Sequence, residues 1–315
     1  AFEGLDTMDA LIDPNRKPAM LEQLRKDADM EMGRASQTPD YRKIEGTRSN
    51  IVPAPITVPE KLGQRIVKDM PLEMVLKHLN MNELYRLSWG AKNSHGPEWE
   101  KLKKDFDARL AKMTKDALKD GWLKPQAVYG YFACQADGDS LIIYDNAESK
   151  KEIERFHFPR QPYDDHLALS DYYATVESGK MDVVALQVVT VGQAASDKFD
   201  KMQAANDYTE AYFVHGLAVQ AAEATANYLH EHIRRELGLA EEQGKRYSWG
   251  YPAIPELEDH FKVFKLLPAV ESELGMSLAT SGQLIPEQST AAIIVHHKQA
   301  KYYSVGESRV EQLMK

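Results

Sequence analysis

The run from Met181 to Val191 constrains the fold of this chain more than any other stretch. It is almost wholly apolar and rich in β-branched residues, which lose side-chain freedom in a helix and pack well on a pleated sheet. With so few polar positions on either side, it reads as a central strand covered on both faces.

Other segments read as partners for that strand. Ala127 to Gln135 and Ser140 to Tyr144 are apolar, aromatic-rich runs joined by Ala136-Asp137-Gly138-Asp139, a hairpin signal because Gly accepts positive φ. Ile153 to Phe158, closed by Pro159, Thr290 to His296 and Tyr302 to Val305 are further strand candidates. Helical periodicity places helices at Pro97 to Lys119, Gln193 to Ala205, Tyr208 to Leu237, Glu256 to Leu267 and from Glu307 onward. Among these, Tyr208 to Leu237 is long, Ala-rich and amphipathic, with Gly238 as its stop. Hairpin-grouped strands with helices that do not alternate regularly predict an α+β fold: a mainly antiparallel twisted sheet flanked by helices, one large domain behind an N-terminal linker.

That linker is marked by composition. A short charged helix from Pro18 to Met32 precedes a segment carrying Pro39, Pro53, Pro55 and Pro59, and repeated prolines hold a chain extended. The segment reads as wrapping onto the surface of a main domain that starts near Pro59. The sequence opens at Ala1-Phe2-Glu3-Gly4-Leu5 without a methionine, so a fragment of a larger polypeptide is expected.

Composition narrows the function classes. The 315 residues carry 48 acidic against 39 basic side chains, a formal charge of −9, whereas nucleic-acid binders concentrate Lys and Arg to displace counterions. No stretch approaches the ~20 apolar residues that cross a bilayer, and no signal peptide is visible, so neither nucleic acid nor membrane is an expected partner. A single cysteine, Cys134, excludes an internal disulfide and a four-thiolate zinc site, and fits a reducing cytoplasm. Rossmann, phosphate-loop and serine-elbow signatures are missing. His230-Glu231-His232 lies on a helix, where residues two apart diverge by about 200°, so surface polarity explains it better than a metal site. His296-His297 lies in a predicted strand, where neighbours face opposite ways, so a joint metal site is not expected there either.

The informative segment is Gly244-Lys245-Arg246-Tyr247-Ser248-Trp249-Gly250-Tyr251-Pro252-Ala253-Ile254-Pro255. A stiff loop of this kind offers a guanidinium to a carboxylate and ring faces to a cation or base. By itself it better suits a core-packing loop whose Arg caps a helix end. Its Arg-x-x-x-Gly-Tyr pattern, however, is one of a series of ordered blocks. Phe158-Pro159-Arg160-Gln161, Glu177 to Asp182 and Tyr228-Leu229-His230-Glu231 precede it; Pro286 to Thr290 and His296 to Tyr303 follow. In that order the blocks resemble the activation domain of cobalamin-dependent methionine synthases. Ala1 to Leu11 resembles the end of that family's cobalamin-binding domain, which implies boundaries of 1–25 for that end, 26–58 for an interdomain linker and 59–315 for the activation domain.

The resemblance implies S-adenosylmethionine as ligand, held by Arg246, Ser248, Gly250, Tyr251, Tyr302 and Tyr303, with Tyr302 and Tyr303 facing opposite ways if they lie in a strand. Where the family often has an acid that meets the ligand's ammonium, this chain has Asn80, which accepts a hydrogen bond but brings no charge; Glu223 is a candidate carboxylate nearby. The implied reaction is reductive methylation of inactive cob(II)alamin. The cobalamin would sit in a neighbouring domain of the same polypeptide, and a flavodoxin-like or other one-electron reductase would supply the electron. No catalytic acid, base or nucleophile and no metal ligand is expected in this chain. The alternative is a non-catalytic docking module whose S-adenosylmethionine site has weakened.

Overall fold

The computed structural model describes residues 13–26, 49–240 and 243–306. Two compact units divide the chain, Ala1–Glu45 and Gly46–Lys315. In the first, residues 17–26 form a helix carrying an exposed Glu22–Lys26 ion pair at 2.9 Å. The remainder of the helix expected to reach Met32, Pro39, the Ala1 to Leu11 block and the helix expected from Glu307 lie outside the described residues.

The second unit is built on one antiparallel sheet. Its strands are β1 (Gly63–Val67), β2 (Gln126–Asp137), β3 (Ser140–Tyr144), β4 (Glu152–His157), β5 (Asp182–Thr190), β6 (Lys245–Ser248) and β9 (Ser289–Val295), in the order β4-β3-β2-β5-β9-β6. Two short strands, β7 (Ser277–Leu278) and β8 (Leu284–Ile285), pair separately. β2 is long enough to hold β5 along one edge while the other edge is shared, β1 taking Ala127–Tyr131 and β3 taking Ala133–Asp137. Turning β2 into β3 puts Gly138 at φ 61°, the left-handed region that favours glycine.

Every residue of β5 is buried, as the apolar run demands, and its alternation shows why. Val183, Ala185 and Val189 join Ala127, Tyr129, Tyr131 and Ile294 in one cluster, completed by Ala226, Leu229 and Ile233 of the long helix. Val184, Leu186 and Val188 point the other way, into a second cluster with Phe156, Trp249, Val263, Phe264 and Ile293. At roughly 1.5–3 kcal/mol per fully buried aliphatic side chain, this two-sided strand is the energetic centre of the fold.

The helices are α1 (Gly96–Asp120), α2 (Gln193–Ala204), α3 (Tyr208–Glu236) and α4 (Asp259–Leu266). α1 ends on Gly121 at φ 65°, whose N–H reaches the Ala117 carbonyl. α3 begins at Asp207, whose carboxylate accepts from the Glu210 N–H, and lies along one face of the sheet. A third cluster joins α1, α2 and the first half of α3 through Phe106, Met113, Val214 and Leu217. Short helical turns at Leu72–Val75, Leu76–His78, Met81–Glu83 and Leu84–Ser88 run beside α3. Gly216 permits that approach: a Cβ there would meet Trp89 Cδ1 at 2.8 Å, and Trp89 Nε1 donates to the Phe213 carbonyl.

Residues 49–58 of this unit have no regular secondary structure and pack on its surface. Ile51 packs on the core, the Val52 N–H donates to Gln299 Oε1 at 3.2 Å, and His297 Nε2 lies 2.9 Å from the Val52 carbonyl. His296 turns instead to Asp182, 2.8 Å away, so the adjacent histidines have separate partners.

One expected strand is absent. Tyr302 to Val305 has no regular secondary structure, because its backbone is tied by other means. The Lys301 carbonyl accepts from the Tyr247 hydroxyl at 2.6 Å, the Ser304 carbonyl accepts from Gln161 Nε2 and the Tyr163 hydroxyl, both at 3.2 Å, and the Val305 N–H donates to the Pro252 carbonyl at 2.9 Å. The last bond joins this segment to the aromatic turn near residue 250.

Candidate functional site

β6 is the last strand of the sheet and sets the site. Arg246 stands opposite Ile294, whose side chain faces α3, so the guanidinium projects to the α3 side. There Arg246 Nη2 donates to Glu223 Oε2 at 2.7 Å and to Asn227 Oδ1 at 3.2 Å. Glu223 and Asn227 are four apart on α3 and thus share one helical face. Ser248, two residues along β6, points the same way, with its hydroxyl 3.4 Å from Arg246 Nη1.

After β6 the chain reverses. The Gly250 N–H donates to the Ile254 carbonyl at 2.9 Å, and the Ile254 N–H donates to the Tyr251 carbonyl at 3.0 Å. Gly250 has φ 85°, a left-handed conformation that calls for glycine, and a Cβ on it would also press on Leu257 Cδ2 at 2.9 Å. The reversal pushes Tyr251 out, 58% exposed, beside Tyr302 at 68%.

Between these elements lies an open cleft of about 710 Å³. α3 forms one wall, the turns at 76–88 a second, the β6 strand and its reversal a third, and Tyr302 with Tyr303 the fourth. Of the sequence-predicted residues, Arg246, Ser248, Tyr251, Tyr302, Tyr303, Asn80 and Glu223 all line it. Gly250 is not among the lining residues; it shapes the turn that presents Tyr251.

The two tyrosines differ in depth rather than facing opposite sides of a strand. Tyr302 stacks edgewise on Tyr247 at 5.4 Å and is exposed, whereas Tyr303 sinks toward Tyr172 and Asp171, and burial pushes its phenol well above the usual range. Tyr251 titrates high for a different reason: first the Glu223 carboxylate, then burial, with Glu83 adding to it against the opposing pull of Arg246.

Asn80 has a role that its sequence position did not reveal. Its carboxamide oxygen accepts from the Asn82 and Glu83 N–H groups, at 3.1 and 3.2 Å, and so caps the turn at Met81–Glu83. The cleft's carboxylates are instead Glu223 and Glu83. Sequence reading missed Glu83, Gln220 and Asn227; helical spacing around Glu223 marks the last two. Gln220 Nε2 donates to Ser88 Oγ at 3.1 Å, while its buried Oε1 has no partner.

His230 departs from the surface reading given to its helix. His232 meets Tyr129 and Glu236, but His230 is half-buried with its Nε2 enclosed, and desolvation first, then Arg246, Arg234 and Lys245, push its pKa down to about 4. An unfolded histidine titrates near 6.5 and takes up a proton before the folded one does. Stability is therefore full above about pH 6.5 and falls as the pH drops toward 4, by about 1–3 kcal/mol. Denaturant titrations of His230→Leu across that window are expected to give a flatter slope than the unaltered chain.

An open antiparallel sheet bearing a cleft at its edge, with one guanidinium set among carboxylates and phenols, defines an α+β domain whose surface cleft has the chemistry to suit a small zwitterionic ligand. A family model described as vitamin B12 dependent methionine synthase, activation domain, matches residues 81–315, and the chain belongs to that family. The methionine synthase of Mycobacterium tuberculosis (strain ATCC 25618 / H37Rv) is 31% identical and that of Mycobacterium leprae (strain TN) 29%, each alignment taking in 97% of this chain. The chain spans 29% of the length of those relatives. A crystal structure of the MetH reactivation domain bound to AdoHcy superposes with a TM-score of 0.71 at 26% identity, covering 83% of this chain and 86% of that one. No helix among the described residues is long and apolar enough to cross a membrane.

Proposed function

We propose that the cleft binds S-adenosylmethionine and presents its methyl group outward to a cobalamin carried by a neighbouring domain of the same polypeptide. The observation that carries this reading is Arg246, held in place by Glu223 and Asn227 at the floor of an open cleft between Tyr251 and Tyr302. A planar guanidinium suits the ligand's carboxylate, because it can bond both oxygens at once. The bound AdoHcy of the related reactivation domain supports the same ligand class. The unpartnered Gln220 Oε1 offers an acceptor to a donor group of the ligand.

Cobalamin, when docked, supplies the nucleophile that accepts the methyl group, after one electron from a flavodoxin-like or other one-electron reductase. The residues of this chain position the donor, and none acts as acid, base or nucleophile. Their task is to fix the sulfonium methyl at the mouth of the cleft, in line for displacement, which converts a chance encounter into a pre-oriented one. The whole polypeptide on this reading is a cytoplasmic methyltransferase. Within it, residues 1–25 would close the cobalamin-binding domain, 26–58 the linker, and 59–315 the activation domain.

Titration calorimetry of the chain with S-adenosylmethionine tests the reading. Saturable heat with a thermal upshift is expected. No heat and no shift at millimolar ligand would leave only the docking-module reading, to which the capping role of Asn80 lends some weight.

A further inference from the structure

Three side chains carry formal charge on the cleft lining apart from histidine: Arg246, Glu223 and Glu83. Arg246 and Glu223 neutralise one another across 2.7 Å. The Glu83 carboxylate makes no hydrogen bond or ion pair among the described residues; the Asn80 carboxamide accepts from its backbone N–H, not from its side chain. His78 does not balance it: its Nδ1 lies 3.5 Å from Glu231, a residue outside the lining. One negative charge is left over, at the wall facing α3.

We infer that Glu83 is a specificity-determining residue that favours the sulfonium methyl donor over the demethylated thioether product, an inference that rests on the S-adenosylmethionine reading above. The chemistry is a matter of charge. S-Adenosylmethionine carries a carboxylate, an ammonium and a sulfonium, and so is a net monocation. Loss of the methyl group to a nucleophile takes the sulfonium charge away and leaves S-adenosylhomocysteine neutral overall. The amino-acid portion is the same in both, so contacts to it treat them alike, and the surplus carboxylate adds a charge term that tells them apart, beside whatever the Tyr251 and Tyr302 ring faces contribute. That Glu83 and Glu223 both raise the Tyr251 phenol places Glu83 within electrostatic reach of the cleft interior. Favouring the donor in this way lets the spent product leave.

Glu83 is solvent-exposed, so the field it sets up is screened by water and salt. Its effect on the affinity ratio is correspondingly modest, roughly three- to thirtyfold. The test measures the affinities of S-adenosylmethionine and S-adenosylhomocysteine by calorimetry for the unaltered chain, E83Q and E83D. For E83Q, S-adenosylmethionine is expected to bind at least about threefold more weakly while S-adenosylhomocysteine changes by less than about twofold. Further, E83D should recover the ratio, higher salt should shrink it, and the melting temperatures should agree. Equal losses for both ligands, or no loss for either, would overturn the inference and leave the S-adenosylmethionine reading standing. An unaltered chain that binds neither ligand would remove that reading and this one with it, so the two failures are told apart.

Discussion

Arg246→Ala is expected to weaken S-adenosylmethionine binding by roughly 100-fold, about 2.8 kcal/mol, while the chain stays folded. Two causes combine. The substitution removes the guanidinium proposed to meet the ligand's carboxylate, and it leaves Glu223 and Asn227 facing the cleft without their partner. The bare Glu223 carboxylate would then repel the ligand's own carboxylate. Arg246→Lys is expected to recover little, because an ammonium on a flexible stem cannot bond two ligand oxygens while also reaching Glu223 and Asn227. The fold should survive, since Arg246 sits on the last strand of the sheet with an open cleft above it. Calorimetry measures the affinity and circular dichroism the fold.

The second large effect lies outside the cleft. Arg160 is 2% exposed and is enclosed by acids: Nε and Nη2 donate to Asp139 at 3.0 and 2.6 Å, and Nη1 and Nη2 each donate to Asp171 at 2.8 Å. Burial pulls the Asp171 carboxyl upward. The Arg160 bonds, the Ala168 N–H and the Ser49 hydroxyl outweigh it and hold that group below the ordinary carboxylate range. Removing one member of such a set strands the others in the interior, so Arg160→Ala is expected to cost about 3–5 kcal/mol in urea or thermal unfolding. The sign in pH follows from the depressed carboxyl: stability from this cluster is complete above about pH 4 and is lost as acid protonates Asp171 below that. The cluster also bears on the site. Gln161 and Tyr163, next in sequence, hold the Ser304 carbonyl and thereby the segment that carries Tyr302 and Tyr303. Arg160 thus stands two steps removed from the cleft lining, although its sequence block belongs to the same ordered series as the Arg246 loop.

Periodicity made most of the scaffold legible. The α1 expectation of Pro97 to Lys119 became Gly96–Asp120, and Met181 to Val191 became β5, because apolar spacing and a glycine stop act locally. β1 escaped notice since Gly63–Val67 is a half-exposed strand, with exposed Gln64 and Ile66 alternating with partly buried neighbours. The turns from Leu72 to Ser88 have no long repeat to read, and their position depends on Gly216 opposite them. Tyr302 to Val305 had strand-like composition, but tertiary bonds to Tyr247, Gln161 and Pro252 decided its path. In the cleft, the Arg246 loop, Tyr302 and Tyr303 were legible from motif blocks and Asn80 and Glu223 from their expected neighbourhood, whereas Glu83, Gln220 and Asn227, brought there by the packing of the turns on α3, were not. Asn80 occupies the position where an acid was sought, yet its oxygen is consumed as a helix cap, and the free carboxylate belongs to Glu83 three residues on.

The most direct measurement is a crystal structure of the chain grown with saturating S-adenosylmethionine. The ligand should lie against α3 with its carboxylate on Arg246, between Tyr251 and Tyr302, and with the sulfonium methyl at the open mouth. A ligand bound elsewhere on the surface, or one whose methyl group is turned inward toward α3 and closed off from solvent, would contradict a cleft built to deliver a methyl group to a docked cobalamin.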